Sequence, residues 1–141
     1  MVTTGTLSVG SYGGTVTLSA TGAPSVTVPV TFTVTAAPVP PAIGASPTSL
    51  SFTAQQGGGN PAAQTVSLSN TGGGTLTWSA SNTASWLTVS PASGTGKGMG
   101  TVNTNTGALT NGTKTETLTL SDNGGHARTV AETVTDTAAP V

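Results

Sequence analysis

Residues 4–39 recur, without an insertion or a deletion, as residues 106–141. In that register Thr4-Gly5 meets Thr106-Gly107, Leu7 meets Leu109, and Gly10 meets Gly112. Thr17-Leu18-Ser19 meets Thr119-Leu120-Ser121, Gly22 meets Gly124, and Thr27-Val28 meets Thr129-Val130. Both stretches close on the same five residues, Thr35-Ala36-Ala37-Pro38-Val39 and Thr137-Ala138-Ala139-Pro140-Val141. A period of 102 residues is too long for a solenoid, whose repeats run about 20–50 residues, and suits tandem domains. Residues 1–36 therefore read as the last third of a preceding copy, 37–42 as a linker, 43–137 as a complete copy, and 138–141 as the start of the next linker. Pro38, Pro40 and Pro41 fix φ and remove hydrogen-bond donors, so the linker is expected to be short, extended and semi-rigid.

The composition decides what kind of domain is repeated. Thr, Ser and Gly account for 31, 15 and 20 of the 141 residues, whereas Asp, Glu, Lys and Arg together number seven. The first charged side chain is Lys97. Disordered chains pair high charge with few β-branched residues, and this chain does the reverse, so an ordered β protein with a hydroxyl-coated surface is expected. A net charge of −1 leaves no electrostatic footprint for nucleic acid. The absence of cysteine excludes a disulfide framework and a thiolate zinc site. No run approaches the ~18 apolar residues that cross a bilayer, so no membrane insertion is expected. Met1-Val2-Thr3-Thr4 lacks the basic and apolar regions of a secretion signal, which by itself does not place the protein in the cytoplasm.

Inside the complete copy, short alternating runs are separated by turn residues. Leu50, Phe52 and Ala54 share one face of Ser49–Ala54, Val66 and Leu68 one face of Gln64–Ser69, and Leu76, Trp78 and Ala80 one face of the next run. Further strands are expected at Trp86–Ser90, Gly100–Asn105, Thr115–Asp122 and Ala127–Thr137, with Ser93–Gly100 a glycine loop. The chain is accordingly all-β: an immunoglobulin-like β-sandwich of about seven strands, preceded by a two-strand hairpin from a partial copy.

Ser46-Pro47-Thr48-Ser49-Leu50-Ser51-Phe52, Asn70-Thr71-Gly72-Gly73-Gly74-Thr75-Leu76-Thr77-Trp78, Ser85-Trp86-Leu87-Thr88-Val89-Ser90-Pro91 and Ser93-Gly94-Thr95-Gly96 resemble the BACON domain. The resemblance covers Ile43 to Thr137, and residues 1–35 resemble the end of the same module. It implies an immunoglobulin-like module of bacterial surface, secreted or phage proteins, often in tandem, with a carbohydrate-binding or spacer role.

Residues able to do chemistry are few. His126 is the only histidine, so no two-histidine metal motif exists. Ser121, Asp122 and His126 fall within one hairpin turn, where their side chains diverge and no catalytic triad is expected. The four carboxylates, Glu116, Asp122, Glu132 and Asp136, lack the spacing of a calcium loop. Asn111-Gly112-Thr113 fits a glycosylation acceptor, a triplet that also arises by chance. Gly57–Gly59 and Gly72–Gly74 lack the lysine and helix of a phosphate loop and read as turns. No catalytic residue, metal or cofactor is assigned, and no enzyme is expected. An indole face covers a pyranose well, which makes Trp86, with Tyr12 in its glycine turn, the candidate sugar platform. Trp78 alternates with core residues, while Trp86 is divided between a half-buried rim and a ligand platform.

The two copies of the last strand differ in kind. Val26, Val28, Val30, Phe32 and Val34 share one face in the first copy; the matching residues in the second are Arg128, Val130, Glu132, Val134 and Asp136. The simpler expectation is that this face is partly solvated and that Arg128 pairs with Glu132 or Glu116, since burying an unpaired charge is costly. The alternative is assembly: the apolar hairpin Thr15–Thr35, unstable alone, is a donor that another copy's sandwich accepts by strand addition or exchange. The expected function is a structural, cohesive module of an extracellular fibre, stalk or adhesin on a bacterial or phage surface, its partner another copy of itself. A carbohydrate-binding module with polysaccharide as partner is the alternative.

Overall fold

The computed structural model describes residues 5–139; Met1–Thr4 and the Pro140-Val141 end of the second linker sequence lie outside it. All its regular elements are strands, as the Thr/Val alternation dictates. The chain divides into two compact units at Pro38/Val39.

The first unit is an antiparallel hairpin of β1 (Gly10–Ala20) and β2 (Ala23–Val34). Gly22, with φ of 83°, makes the tight turn between them. The second unit is a sandwich of nine strands: β3 (Ile43–Ser46), β4 (Ser49–Gln55), β5 (Gln64–Asn70), β6 (Thr77–Ser81), β7 (Leu87–Ser90), β8 (Ser93–Thr95), β9 (Gly98–Thr104), β10 (Gly112–Asp122) and β11 (Ala127–Thr137). One sheet runs β4-β11-β10-β6-β8 and the other β3-β5-β9-β7. The inward residues of both sheets, among them Ile43, Leu50, Phe52, Val66, Leu68, Trp78, Val102, Leu118 and Val130, form one buried cluster. Each such side chain contributes roughly 1.5–3 kcal/mol when taken out of water.

Two strands escape a reading of seven. β3 is four residues long and pairs with β5. β8 occupies the start of the expected glycine loop and pairs with β6, setting Gly94 opposite Trp78. The glycines here serve close approach: a Cβ on Gly94 would stand 2.6 Å from Cζ2 of Trp78, and one on Gly98 3.1 Å. The indole thus lies under a lid of bare backbone. Val39–Ala42 belongs to the sandwich unit, docked on the Asn70–Gly74 turn by Thr71 N–H to Ala42 O (2.7 Å) and Gly73 N–H to Pro40 O (3.0 Å).

The hairpin and the sandwich's last two strands share one pairing register. Gly10 faces Val34, Tyr12 faces Phe32, Val16 faces Val28 and Leu18 faces Val26. Moved by 102 residues, these are the pairs Gly112/Asp136, Lys114/Val134, Leu118/Val130 and Leu120/Arg128 of β10 and β11. The sequence repeat is therefore also a repeat of hydrogen-bonding geometry, from the open end of each hairpin to within two residues of its turn.

Gly94→Ala is expected to destabilise the sandwich by about 1–3 kcal/mol, because the new methyl group meets a rigid ring rather than a flexible chain end. Denaturant unfolding followed by tryptophan fluorescence measures it. A variant as stable as the parent would mean that the lid is not held against Trp78.

Candidate functional site

The hairpin's apolar face is built by alternation on two paired strands. Val26, Val28 and Val30 on β2 line up with Leu18, Val16 and Gly14 on β1, followed by Phe32 against Tyr12 and Val34 against Gly10. Val16, Leu18, Val26, Val28 and Val30 are 43–59 % exposed, and Phe32 and Val34 are half-buried. Tyr12 lies within β1 rather than in a glycine turn, and its hydroxyl donates to Ser8 O at 2.8 Å. It therefore stands among strand residues as part of this face, half-buried.

The corresponding face of the sandwich is enclosed, and here the expected solvation does not hold. Glu132 is 1 % and Asp136 3 % exposed, lying beside buried Val130 and Val134. Arg128 is exposed and donates to Ala127 O, and the only ion pair among the described residues joins His126 and Asp122. Both carboxyl oxygens of Glu132 and of Asp136, and Oγ1 of Thr104 on β9, are buried without a hydrogen-bond partner among the described residues. The reason is topological. β11 is an internal strand, paired with β10 on one side and, in parallel, with β4 on the other. Its Glu132 sits opposite Glu116 on β10 and Leu50 on β4, so its alternation carries it inward.

The other carboxylates have partners. Glu116 accepts hydrogen bonds from the N–H and the hydroxyl of Thr83, each at 3.0 Å, which hold its pKa below the ordinary value. Burial would raise Asp122, but the N–H groups of His126 (2.8 Å), Ile43 (2.7 Å) and Gly124 (2.8 Å), together with the His126 ring, prevail and lower it. Asp122 thus ties the start of β3 to the β10–β11 turn, a contact across 79 residues that no local pattern signals. His126 Nδ1 stands 3.3 Å from Asp122 Oδ2, while Ser121 projects to the opposite face of β10. Among the described residues no three His, Asp or Glu side chains are grouped to hold a metal ion. Trp86 is half-buried, packed on the core, and lines a recess of about 240 Å³ with Ser85, Asn105, Ala108 and Leu109.

With this geometry in view, the comparisons with known proteins are specific. The family model described as the viral BACON domain matches residues 42–139. The chain belongs to that family. No curated protein matches it in sequence. Solved structures that share the BACON architecture include a PapD-like domain of human CEP192 (13 % identity, TM-score 0.58, 70 % of this chain and 87 % of that one). A protein of unknown function from Porphyromonas gingivalis matches over 92 % of this chain and 67 % of its own (14 % identity, TM-score 0.56). A Bacteroides ovatus GH5 xyloglucanase, solved with a heptasaccharide, matches over 70 % of this chain at 21 % identity and a TM-score of 0.56. The chain spans only 20 % of that enzyme's length, and at these identities the likeness is one of fold.

The enclosed carboxylate makes the stability of the BACON sandwich depend on pH. Burial pushes Glu132 up from 4.5 to about 7. The charged groups around it are Glu116 and Lys114 on β10 and Arg128 and Asp136 on its own strand; β3 and β4 carry none. A raised pKa means the folded state holds the proton more tightly, so this contribution is intact below about 4.5 and is lost as pH rises through about 7. The difference corresponds to roughly 3 kcal/mol. Unfolding midpoints measured between about pH 5 and about pH 8 should fall with rising pH in the parent and stay nearly level in Glu132→Gln. Equal slopes in the two proteins would contradict the burial of this side chain. Glu132→Val, which installs the residue of the first copy, should raise the midpoint at pH 8 by more than Glu132→Gln does, since an apolar group there needs no partner.

Proposed function

We propose that this BACON chain is a cohesive structural module that assembles with copies of itself on an extracellular surface, that of a virion or a bacterial cell. The observation that carries the reading is the β1–β2 hairpin, whose apolar face is exposed and whose register is that of the sandwich's own β10–β11. A two-stranded hairpin is marginal by itself, and a continuous exposed apolar face marks an interaction surface. The surface that fits it is the set of strands that covers β10–β11, namely β3 to β9, and every copy of the chain carries one such set. Donor and acceptor are different surfaces of one chain, so the contact is heterologous and propagates into a ring or a filament. The surface rich in Thr, Ser and Gly supports close packing because little charge must be desolvated. The viral family supports a place on a virion. In this reading the chain has no catalytic role and needs no cofactor.

Sedimentation and negative-stain microscopy of the 141-residue chain near neutral pH test it. Regular polymers are expected from the parent, and monomers from Val28→Asp combined with Val30→Asp. The near-ultraviolet signal of Trp78 and Trp86, both in the sandwich unit, should be unchanged. A monomeric parent, or polymers that survive both substitutions, would overturn the reading.

The recess at Trp86 favours a second reading, a carbohydrate-binding module, which the saccharide-bound structural neighbour suggests without its likeness extending beyond the fold. It requires tryptophan fluorescence that responds to soluble oligosaccharides in the parent and not in Trp86→Ala.

A further inference from the structure

We propose that the assembly contact is a strand exchange in which the β1–β2 hairpin of one copy takes the place of β10–β11 in the next. This rests on the self-assembly reading and names its acceptor. Three observations point to replacement rather than addition at a sheet edge.

The first is register. From Gly10/Val34 to Leu18/Val26 the residue pairs of β1 and β2 map onto those of β10 and β11 at an offset of 102. The incoming hairpin can therefore meet β4 in the register already in use, short of one donor at Pro29, and reaches β6 with Thr17 and Leu18 before its own register shifts. The second is what each position would bury. On the inward face Val28 takes the place of Val130, Val30 of Glu132, Phe32 of Val134 and Val34 of Asp136. On the partner strand Val16 and Leu18 take the places of Leu118 and Leu120, and Tyr12 that of Lys114. The two carboxyl groups that lie buried without partners leave the core, and apolar groups enter it. The third is where the charge sits. Six of the seven charged side chains, all but Lys97, lie on β10 and β11. The displaced hairpin would thus carry nearly all of the chain's charge into water, together with Leu118, Leu120, Val130 and Val134, while the incoming one, which has no charge, would gain cover for its apolar face. Exchange gives up the Asp122 clamp on Ile43, the Glu116 bonds to Thr83, the Asn123 bonds to Thr75 and Thr77, and the Ala131 N–H bond to Thr48 O, because Ala20, Gly14, Thr21 and Pro29 stand at those positions in the first copy. Edge addition would keep the anchors and leave the carboxylates enclosed.

The chain contains no cysteine, so introduced thiols report position unambiguously. In the closed sandwich Thr133 pairs with Ser51 of β4, and in the exchanged one Thr31 of another copy stands there. Paired strand positions are close enough for a disulfide. Thr31→Cys with Ser51→Cys should give, on oxidation of the assembled full chain, a covalent ladder on a non-reducing gel, with both positions in one cross-linked peptide by mass spectrometry. Thr133→Cys with Ser51→Cys should close within one chain, block assembly while oxidised, and release it on reduction. Polymers that form with the second pair locked, or that carry no link in the first, would overturn exchange and leave self-assembly standing. A link confined to monomers of the first pair would also overturn it, since the hairpin would then occupy its own sandwich. A parent chain that never assembles would overturn both readings.

Discussion

The sandwich depends on the ladder that joins its last strand to one of its first. β11 lies between β10 and β4, and the parallel pairing with β4 runs from Ala131/Ser49 to Thr137/Gln55. It turns the C-terminal strand into an internal one, with both rows of backbone groups paired and one whole face committed to the core. Because side chains alternate strictly, Val130 and Val134 cannot be inside unless Glu132 and Asp136 are inside with them. A slip of one residue would free the carboxyl groups and turn out both valines, at roughly 1.5–3 kcal/mol each, besides shifting every contact to β4 and β10. Carrying Glu132 inward costs about as much as one or two such valines when it is ionised, and less when it is protonated. The backbone ladder wins, and the chemistry of the side chain gives way through its titration.

This balance explains which parts of the molecule were legible in the sequence. The β class, the hairpin repeat and the core face of each strand follow from alternation, a local property: Leu50 with Phe52 and Val66 with Leu68 are buried as their spacing dictates. The strand count fell short because β3 and β8 are too short to show a pattern, and because the glycines of Ser93–Gly100 look like loop formers when two of them are making room for Trp78. Solvation at the end of the chain was misjudged for a different reason. A strand's neighbours are long-range facts, and nothing near Glu132 in sequence reveals that Ser49–Gln55 pairs beside it. Asp122 is the converse case: its carboxylate looked like a turn residue, and it proves to hold Ile43 from 79 positions away.

The candidate site was legible only as a comparison. Apart from Pro29, which stands opposite Thr15 and has no N–H to donate, no residue of Val26–Val34 is unusual for a strand, and none of Arg128–Asp136 would attract notice alone. Aligned on the repeat, the two faces show one backbone design filled with opposite chemistries, apolar in the first copy and charged in the second. The common pairing of the two hairpins from Gly10/Val34 to Leu18/Val26 goes with shared residues, Gly10 with Gly112 and Thr17-Leu18 with Thr119-Leu120, while the divergent ones change what that geometry buries.

That division has a physical logic beyond either copy. In the exchange we propose, the hairpin that leaves the core takes two enclosed carboxyl groups with it as well as four core side chains, and the hairpin that enters brings an apolar face in need of cover. Two hairpins alike in both respects would either compete evenly for the core or precipitate together. With six charges on β10 and β11 and none on β1 and β2, the proposed exchange would make the occupant of the core position depend on what each hairpin meets outside it. The near absence of charge elsewhere is then part of the same design, since a charged β3–β9 face would bias the choice by attraction or repulsion before packing could decide it.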